Sequence, residues 1–197
     1  MNHLKQIQSR LPDFGVEALL ITGEVSEAYA VGFQGEGVAL VTPGECFYWT
    51  DSRYIEAASA RITGCAVMQV RQSRPHRACV REQVERLGKR LVLADLDNTI
   101  ARYRQPVPDE ALFAWKRALN QAGITVFILS NGRKPHRSRR FARAFGVDYI
   151  SHAGKPKGKG FRAALERTGF TAAETVMVGD QIFTDIWGAN LAGEQHL

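Results

Sequence analysis

Asp95 and Asp97 stand two residues apart at the end of Leu91-Val92-Leu93-Ala94, an apolar run that gives way abruptly to two carboxylates and the Thr99 hydroxyl. Acids at this spacing can chelate one hard cation, or divide the labour of nucleophile and proton carrier. They can equally form an Asx-rich turn that caps a helix. Three later apolar runs end in groups of related chemistry. Residues 124–129 lead into Ser130-Asn131-Gly132, residues 147–150 precede Lys155-Pro156, and residues 175–178 lead into Gly179-Asp180 with Asp185 shortly after. A carboxylate is competent against phosphorus, hydroxyl and amide groups can hold the equatorial oxygens, and an ammonium offsets their charge. A further carboxylate completes a Mg2+ site, which needs hard oxygen ligands. Singly these are turns and loops. As an ordered set at four strand ends they point to phosphoryl transfer.

The elements that must position them follow from periodicity. Apolar runs with no polar member suit strands buried on both faces, and open parallel sheets present ligands at their carboxyl edge. Leu112, Trp115 and Leu119 predict a helix over 109–122 that Gly123 ends, and Phe161, Ala164 and Leu165 predict another. From Asp97 to Ser130 is 33 residues and from Ser130 to Lys155 is 25, which the intervening elements consume. No room remains for a cap domain, so the site is expected to be open and to admit a bulky substrate.

The first half alternates helix and strand without an acid pair, a His cluster or a Gly-rich phosphate loop. Leu4, Ile7, Leu11 and Phe14 predict an amphipathic helix over 3–14, and strands are expected at 18–21, 38–41, 46–50 and 66–68, with Pro43-Gly44-Glu45 as a hairpin turn. Asp51-Ser52 is expected to cap a helix to Arg61, and a helix over 80–90 to lead into the Leu91 strand.

The 197 residues are 45% hydrophobic and 23% charged, which are globular proportions. No apolar run has membrane-spanning length and no signal-peptide pattern opens the chain, so a cytoplasmic protein, peripheral at most to a membrane, is expected. Cys46, Cys65 and Cys79 lack CxxC spacing and are expected as reduced thiols. The net charge of +6 lies wholly in the second half, where 16 Lys and Arg from residue 90 onward face 10 Asp and Glu. Arg133, Lys134, Arg137, Arg139, Arg140 and Arg143 form one cluster, which fits either an anionic partner or a solvated helix face.

Two resemblances cover the chain. Residues 18–21, Val31-Gly32-Phe33, the hairpin and above all Thr50-Asp51-Ser52-Arg53-Tyr54 resemble the amino-terminal domain of the creatinase and Xaa-Pro peptidase family. In that family the domain assists oligomerisation and substrate access while catalysis resides elsewhere, so the resemblance implies a possible homodimer through this half and no peptidase activity. The second half, with DLDNT, SN, KP, GDQIFTD and GAN, resembles the haloacid dehalogenase (HAD) phosphatases, in particular the YqeG-type branch of subclass III. The resemblance implies Asp95 as the nucleophile that forms an aspartyl phosphate and Asp97 as the proton carrier. Ser130 binds the phosphoryl group with support from Thr99 and Asn131, and Lys155 steadies both nucleophile and transferring charge. Mg2+ is held by Asp95, the Asp97 backbone carbonyl and Asp180, and Asp185 orients Lys155 or the metal shell.

The expected architecture is therefore α/β: a truncated creatinase-N-like domain over residues 1–90, then a capless HAD-like Rossmannoid parallel sheet flanked by helices over 91–197. The expected function is a Mg2+-dependent phosphomonoester hydrolase. The resemblance implies phosphatidylglycerophosphate as substrate; that or another bulky phosphorylated substrate, such as a lipid head group at an anionic membrane surface, is the expected partner, and stable nucleic-acid binding is not expected. The alternative is a weak or inactive fusion protein acting as an interaction or oligomerisation module. The resembling phosphatases continue into one more strand beyond the Asp185 segment, and its loss is expected to leave an open sheet edge.

Overall fold

The structure is a computed structural model that describes residues 2–14, 16–102, 105–132, 135–155 and 159–179. The elements in order are α1 (Leu4–Arg10), β1 (Leu19–Thr22), α2 (Glu24–Val31), β2 (Gly37–Val41), β3 (Cys46–Thr50), α3 (Ile55–Arg61), β4 (Ala66–Gln69) and α4 (His76–Arg86). The second half adds β5 (Leu91–Ala94), α5 (Glu110–Gln121), β6 (Thr125–Ser130), α6 (Pro135–Phe145), β7 (Asp148–Ser151), α7 (Lys159–Thr168) and β8 (Thr175–Gly179). Among the described residues no helix is long and apolar enough to cross a membrane.

All eight strands join one sheet in the order β4-β3-β2-β1-β8-β5-β6-β7. The strands β1, β8, β5, β6 and β7 run parallel, so their carboxyl ends share one edge. Between β5 and β6, and between β6 and β7, the described chain holds one helix each, and no cap intervenes. Alternation along the strands sorts side chains into two layers. Leu91 and Leu93 pack with α1, α2, α3 and α7 on one face, while Val92 and Ala94 pack with α4, α5 and α6 on the other. Both layers take residues from both halves of the chain.

The open edge expected beside β8 does not exist. Leu19, Leu20 and Ile21 of β1 pair in parallel with Met177, Val178 and Gly179, so the first half satisfies backbone groups that would otherwise face water.

Several local expectations are corrected. The opening helix tightens to a 3-10 turn over Leu11–Phe14. Asp51 does not cap α3, which starts at Ile55 after Tyr54; its carboxylate instead accepts from the Arg53 backbone N–H at 2.8 Å and pairs with the Arg53 guanidinium. Cys46 and Cys65 are not reduced thiols but a disulfide, with Cα atoms 4.4 Å apart. The parallel ladder explains this, because it pairs Phe47 with Ala66 and so places the preceding cysteines side by side. Cys79 is free and buried.

The helix α2 carries a buried acid. Glu27 is 1% exposed; its Oε1 accepts from the Tyr48 hydroxyl and its Oε2 from the Gly37 N–H at 3.0 Å. Residue 37 must be glycine for this arrangement, since a Cβ there would stand 2.5 Å from the Tyr48 ring. Burial pushes the Glu27 carboxyl up to about 7 against the opposing pull of the two donors, and burial with Glu27 alongside raises the Tyr48 hydroxyl as well.

Candidate active site

The described site residues follow the ends of β5, β6 and β7. The backbone N–H of Asp95 donates to the Val178 carbonyl at 2.9 Å, extending the β5–β8 ladder by one residue and fixing Asp95 at the rim. The chain then turns sharply: Ala101 N–H donates to the Leu96 carbonyl at 3.0 Å and Asn98 N–H to the Ala101 carbonyl at 2.8 Å. Asn98 takes φ of 60°, a left-handed conformation that asparagine tolerates better than most residues. This turn brings Asp97 back over the edge beside Asp95.

Lys155, after β7, places Nζ 2.7 Å from Asp95 Oδ1, with both side chains largely buried. Asn131 explains how a lysine on a loop is aimed so closely. Its amide donates to the Lys155 carbonyl at 2.8 Å and accepts from the Lys155 N–H at 2.8 Å. Asn131, expected beside the substrate, commits both ends of its amide to the backbone of Lys155.

Ser130 ends β6 almost fully buried, and its Oγ accepts from the Gly132 N–H at 3.0 Å. A Cβ at position 132 would lie 3.1 Å from that Oγ and 3.3 Å from Asp97 Oδ2, so glycine allows the turn after β6 to close on both groups. Thr99, expected to support the phosphoryl group, lines an apolar groove of about 320 Å³ between α4 and α5, alongside Leu20, Val92, Trp115 and Val178.

Arg137 is the site member that sequence reasoning missed. From the first turns of α6 it pairs with Asp97 Oδ1 and donates to the Arg102 carbonyl at 2.9 Å. It was visible only as one of six cationic residues, and nothing in its spacing separates it from Arg139 or Arg140, which are exposed. Burial raises the Asp97 carboxyl above the usual carboxylate range; the Asp95 charge adds to this, while Arg137 and Lys155 oppose it.

The described residues contain no group of three or more acids, histidines or cysteines able to hold a metal. Asp180 and Asp185, the remaining acids expected in the site, and Arg133 and Lys134 of the basic cluster lie outside the described residues. The donors that are described still fit a hard cation. Asp95 gives one oxygen to Lys155, and carboxylate oxygens are the ligands a hard cation takes.

The family model of haloacid dehalogenase-like hydrolases matches residues 25–193. Over 112 residues the chain is 31% identical to a Bacillus subtilis protein described as "Probable phosphatase YqeG", a match that takes in 57% of this chain and 64% of that protein. The chain thus spans less than two thirds of that relative's length. Among solved structures, it is similar to an Xaa-Pro aminopeptidase of Streptococcus thermophilus at 21% identity, covering 70% of this chain and 94% of that one with a TM-score of 0.46. It is also similar to the deoxy-D-mannose-octulosonate 8-phosphate phosphatase of Haemophilus influenzae at 19% identity, covering 49% and 61% with a TM-score of 0.39.

Proposed function

Because the chain belongs to the haloacid dehalogenase-like hydrolases, we propose that it is a phosphatase that hydrolyses phosphomonoesters through an aspartyl phosphate. The observation that carries this reading is the contact of Lys155 Nζ with Asp95 Oδ1 at 2.7 Å, in a site where Ser130 and Asp97 close around the same strand end. An ammonium on one carboxylate oxygen leaves the other to attack phosphorus and offsets the charge gathered as an anionic phosphoryl group approaches.

The steps balance without outside reactants. Asp95 forms a bond to phosphorus as the bond from phosphorus to the ester oxygen breaks, and protonated Asp97 gives its proton to the departing oxygen. Water then attacks the aspartyl phosphate, Asp97 takes a proton from it, and Asp95 is released with inorganic phosphate. Asn131 keeps Lys155 on target throughout, and the buried Ser130 hydroxyl holds a phosphoryl oxygen. Mg2+ held by Asp95, the Asp97 backbone carbonyl and Asp180 would supply further positive charge against the phosphoryl oxygens, with Asp185 supporting Lys155 or the metal shell. The absence of a cap among the described residues suits bulky monoesters, a lipid head group such as phosphatidylglycerophosphate among them.

Purified protein with Mg2+ should hydrolyse an aryl phosphate, lose that activity in EDTA, and lose it in Asp95→Asn. Turnover that survives Asp95→Asn would sink the reading.

A further inference from the structure

Arg137 sits where phosphoryl binding alone does not require a cation. Lys155 attends the Asp95 end of the site, where phosphorus would be bonded. Arg137 instead holds Asp97, the proton carrier of the proposed reaction, and reaches past it to the Arg102 carbonyl. Since the proton on Asp97 goes to the departing oxygen, what lies beyond Asp97 faces the leaving group rather than the phosphoryl group.

The resting contact also has to be broken. Asp97 Oδ1 is held by the Arg137 guanidinium, and a Cβ at position 132 would stand 3.3 Å from Oδ2. A carboxylate committed to a guanidinium is poorly placed to carry a proton to a third group. An anion that takes over the guanidinium frees it, and a planar guanidinium is well suited to a carboxylate or phosphate. The surroundings favour such an exchange: residues 135–147 include Arg137, Arg139, Arg140 and Arg143 and no acid, so α6 carries no acid of its own to offset them.

We propose that Arg137 reads negative charge on the leaving group, so that the preferred substrates are phosphomonoesters with a second anionic group a few bonds from the ester oxygen. This rests on the phosphatase reading above, and the two can fail separately.

The test compares glycerol 3-phosphate with 3-phosphoglycerate, which are similar in size but differ by a carboxylate on the leaving group, with an aryl phosphate as the common reference and Asp95→Asn as control. The wild type should favour 3-phosphoglycerate in kcat/KM by about tenfold or more, the scale of a charge-assisted contact. In Arg137→Gln the ratio between the two esters should collapse to near one, mainly through KM for the charged ester. Arg137→Lys, which keeps the charge but loses the fork, should retain part of the preference. Equal losses on both esters in Arg137→Gln, or no preference in the wild type, would overturn the proposal while Asp95-dependent aryl phosphate turnover leaves the phosphatase reading standing. No turnover of any ester by the wild type would overturn both.

Discussion

Glu27 and Asp95 are carboxylates largely removed from water, one in each half of the chain, and they are held in opposite ways. Glu27 is enclosed by neutral donors, the Tyr48 hydroxyl and the Gly37 N–H. Asp95 meets the Lys155 ammonium at a strand end. Two neutral donors satisfy the lone pairs of Glu27 without cancelling its charge, so burial wins and its carboxyl rises to about 7. At Asp95 the partner is a cation, and it sits on Oδ1. The first arrangement ties α2 to β2 and β3, and the second joins the end of β5 to the loop after β7 and, in the proposed reaction, supplies the nucleophile. What a buried acid can do depends on the charge of its partner more than on how deeply it lies.

The largest effect expected from breaking this comparison is at Asp95. Asp95→Asn removes the proposed nucleophile while keeping the shape, and should lower aryl phosphate turnover on the order of 10⁴-fold or more, with thermal unfolding little changed. Next comes the join between the halves. Ile21 is fully buried on β1 beside Gly179 of β8, and Ile21→Ala should cost about 2–5 kcal/mol in urea unfolding. The loss should appear in one transition that carries phosphatase activity with it. Two separate transitions, with activity following the unaffected one, would contradict a shared core.

Glu27 should give a slightly smaller effect with a definite sign. Its folded value of about 7 lies above the ordinary 4.5, so between those limits the folded state binds more protons and stability falls as pH rises. A raised value of this size corresponds to about 3 kcal/mol, fully present below pH 4.5 and lost by about pH 7. Denaturation midpoints measured across that window should decline in the wild type and flatten in Glu27→Gln; a wild-type profile as flat as the variant's would count against the assignment. The smallest effect belongs to Arg53, whose partners Asp51 and Glu36 form an exposed pair of ion contacts. Arg53→Ala should leave the unfolding midpoint unchanged within error, because water and salt screen such pairs.

Elements with a clear apolar signal were legible in the sequence. The runs at Leu91, Ile124 and Thr175 became β5, β6 and β8, each close to its expected bounds, and Asp109 caps α5 through a bond from the Leu112 N–H at 2.8 Å. The helix α2 was missed because its buried side includes Ser26 and Glu27 beside Ala30 and Val31, so polar residues broke the pattern that marks an inward face. The convergence of Asp95, Asp97, Ser130 and Lys155 was readable because each follows an apolar run and strand ends share an edge. The duties of Asn131 and Arg137 were not, since both depend on distances between loops that no local pattern encodes. The disulfide was hidden for the same reason: it depends on β3 and β4 being neighbours in a particular register.

The pairing of β1 with β8 also bears on how the chain must be made. During synthesis β1 leaves the ribosome before β2 to β7, and its partner β8 follows them. Until β8 arrives, one side of β1 is an unpaired strand edge, and the pairing that covers it must close a loop spanning most of the described chain. Such non-local pairing is slow, which leaves a window in which the nascent first half can meet other strands. The pairing that covers β1 is also made by the strand whose Val178 carbonyl accepts from the Asp95 N–H, so the nascent edge and the Asp95 turn wait for the same strand.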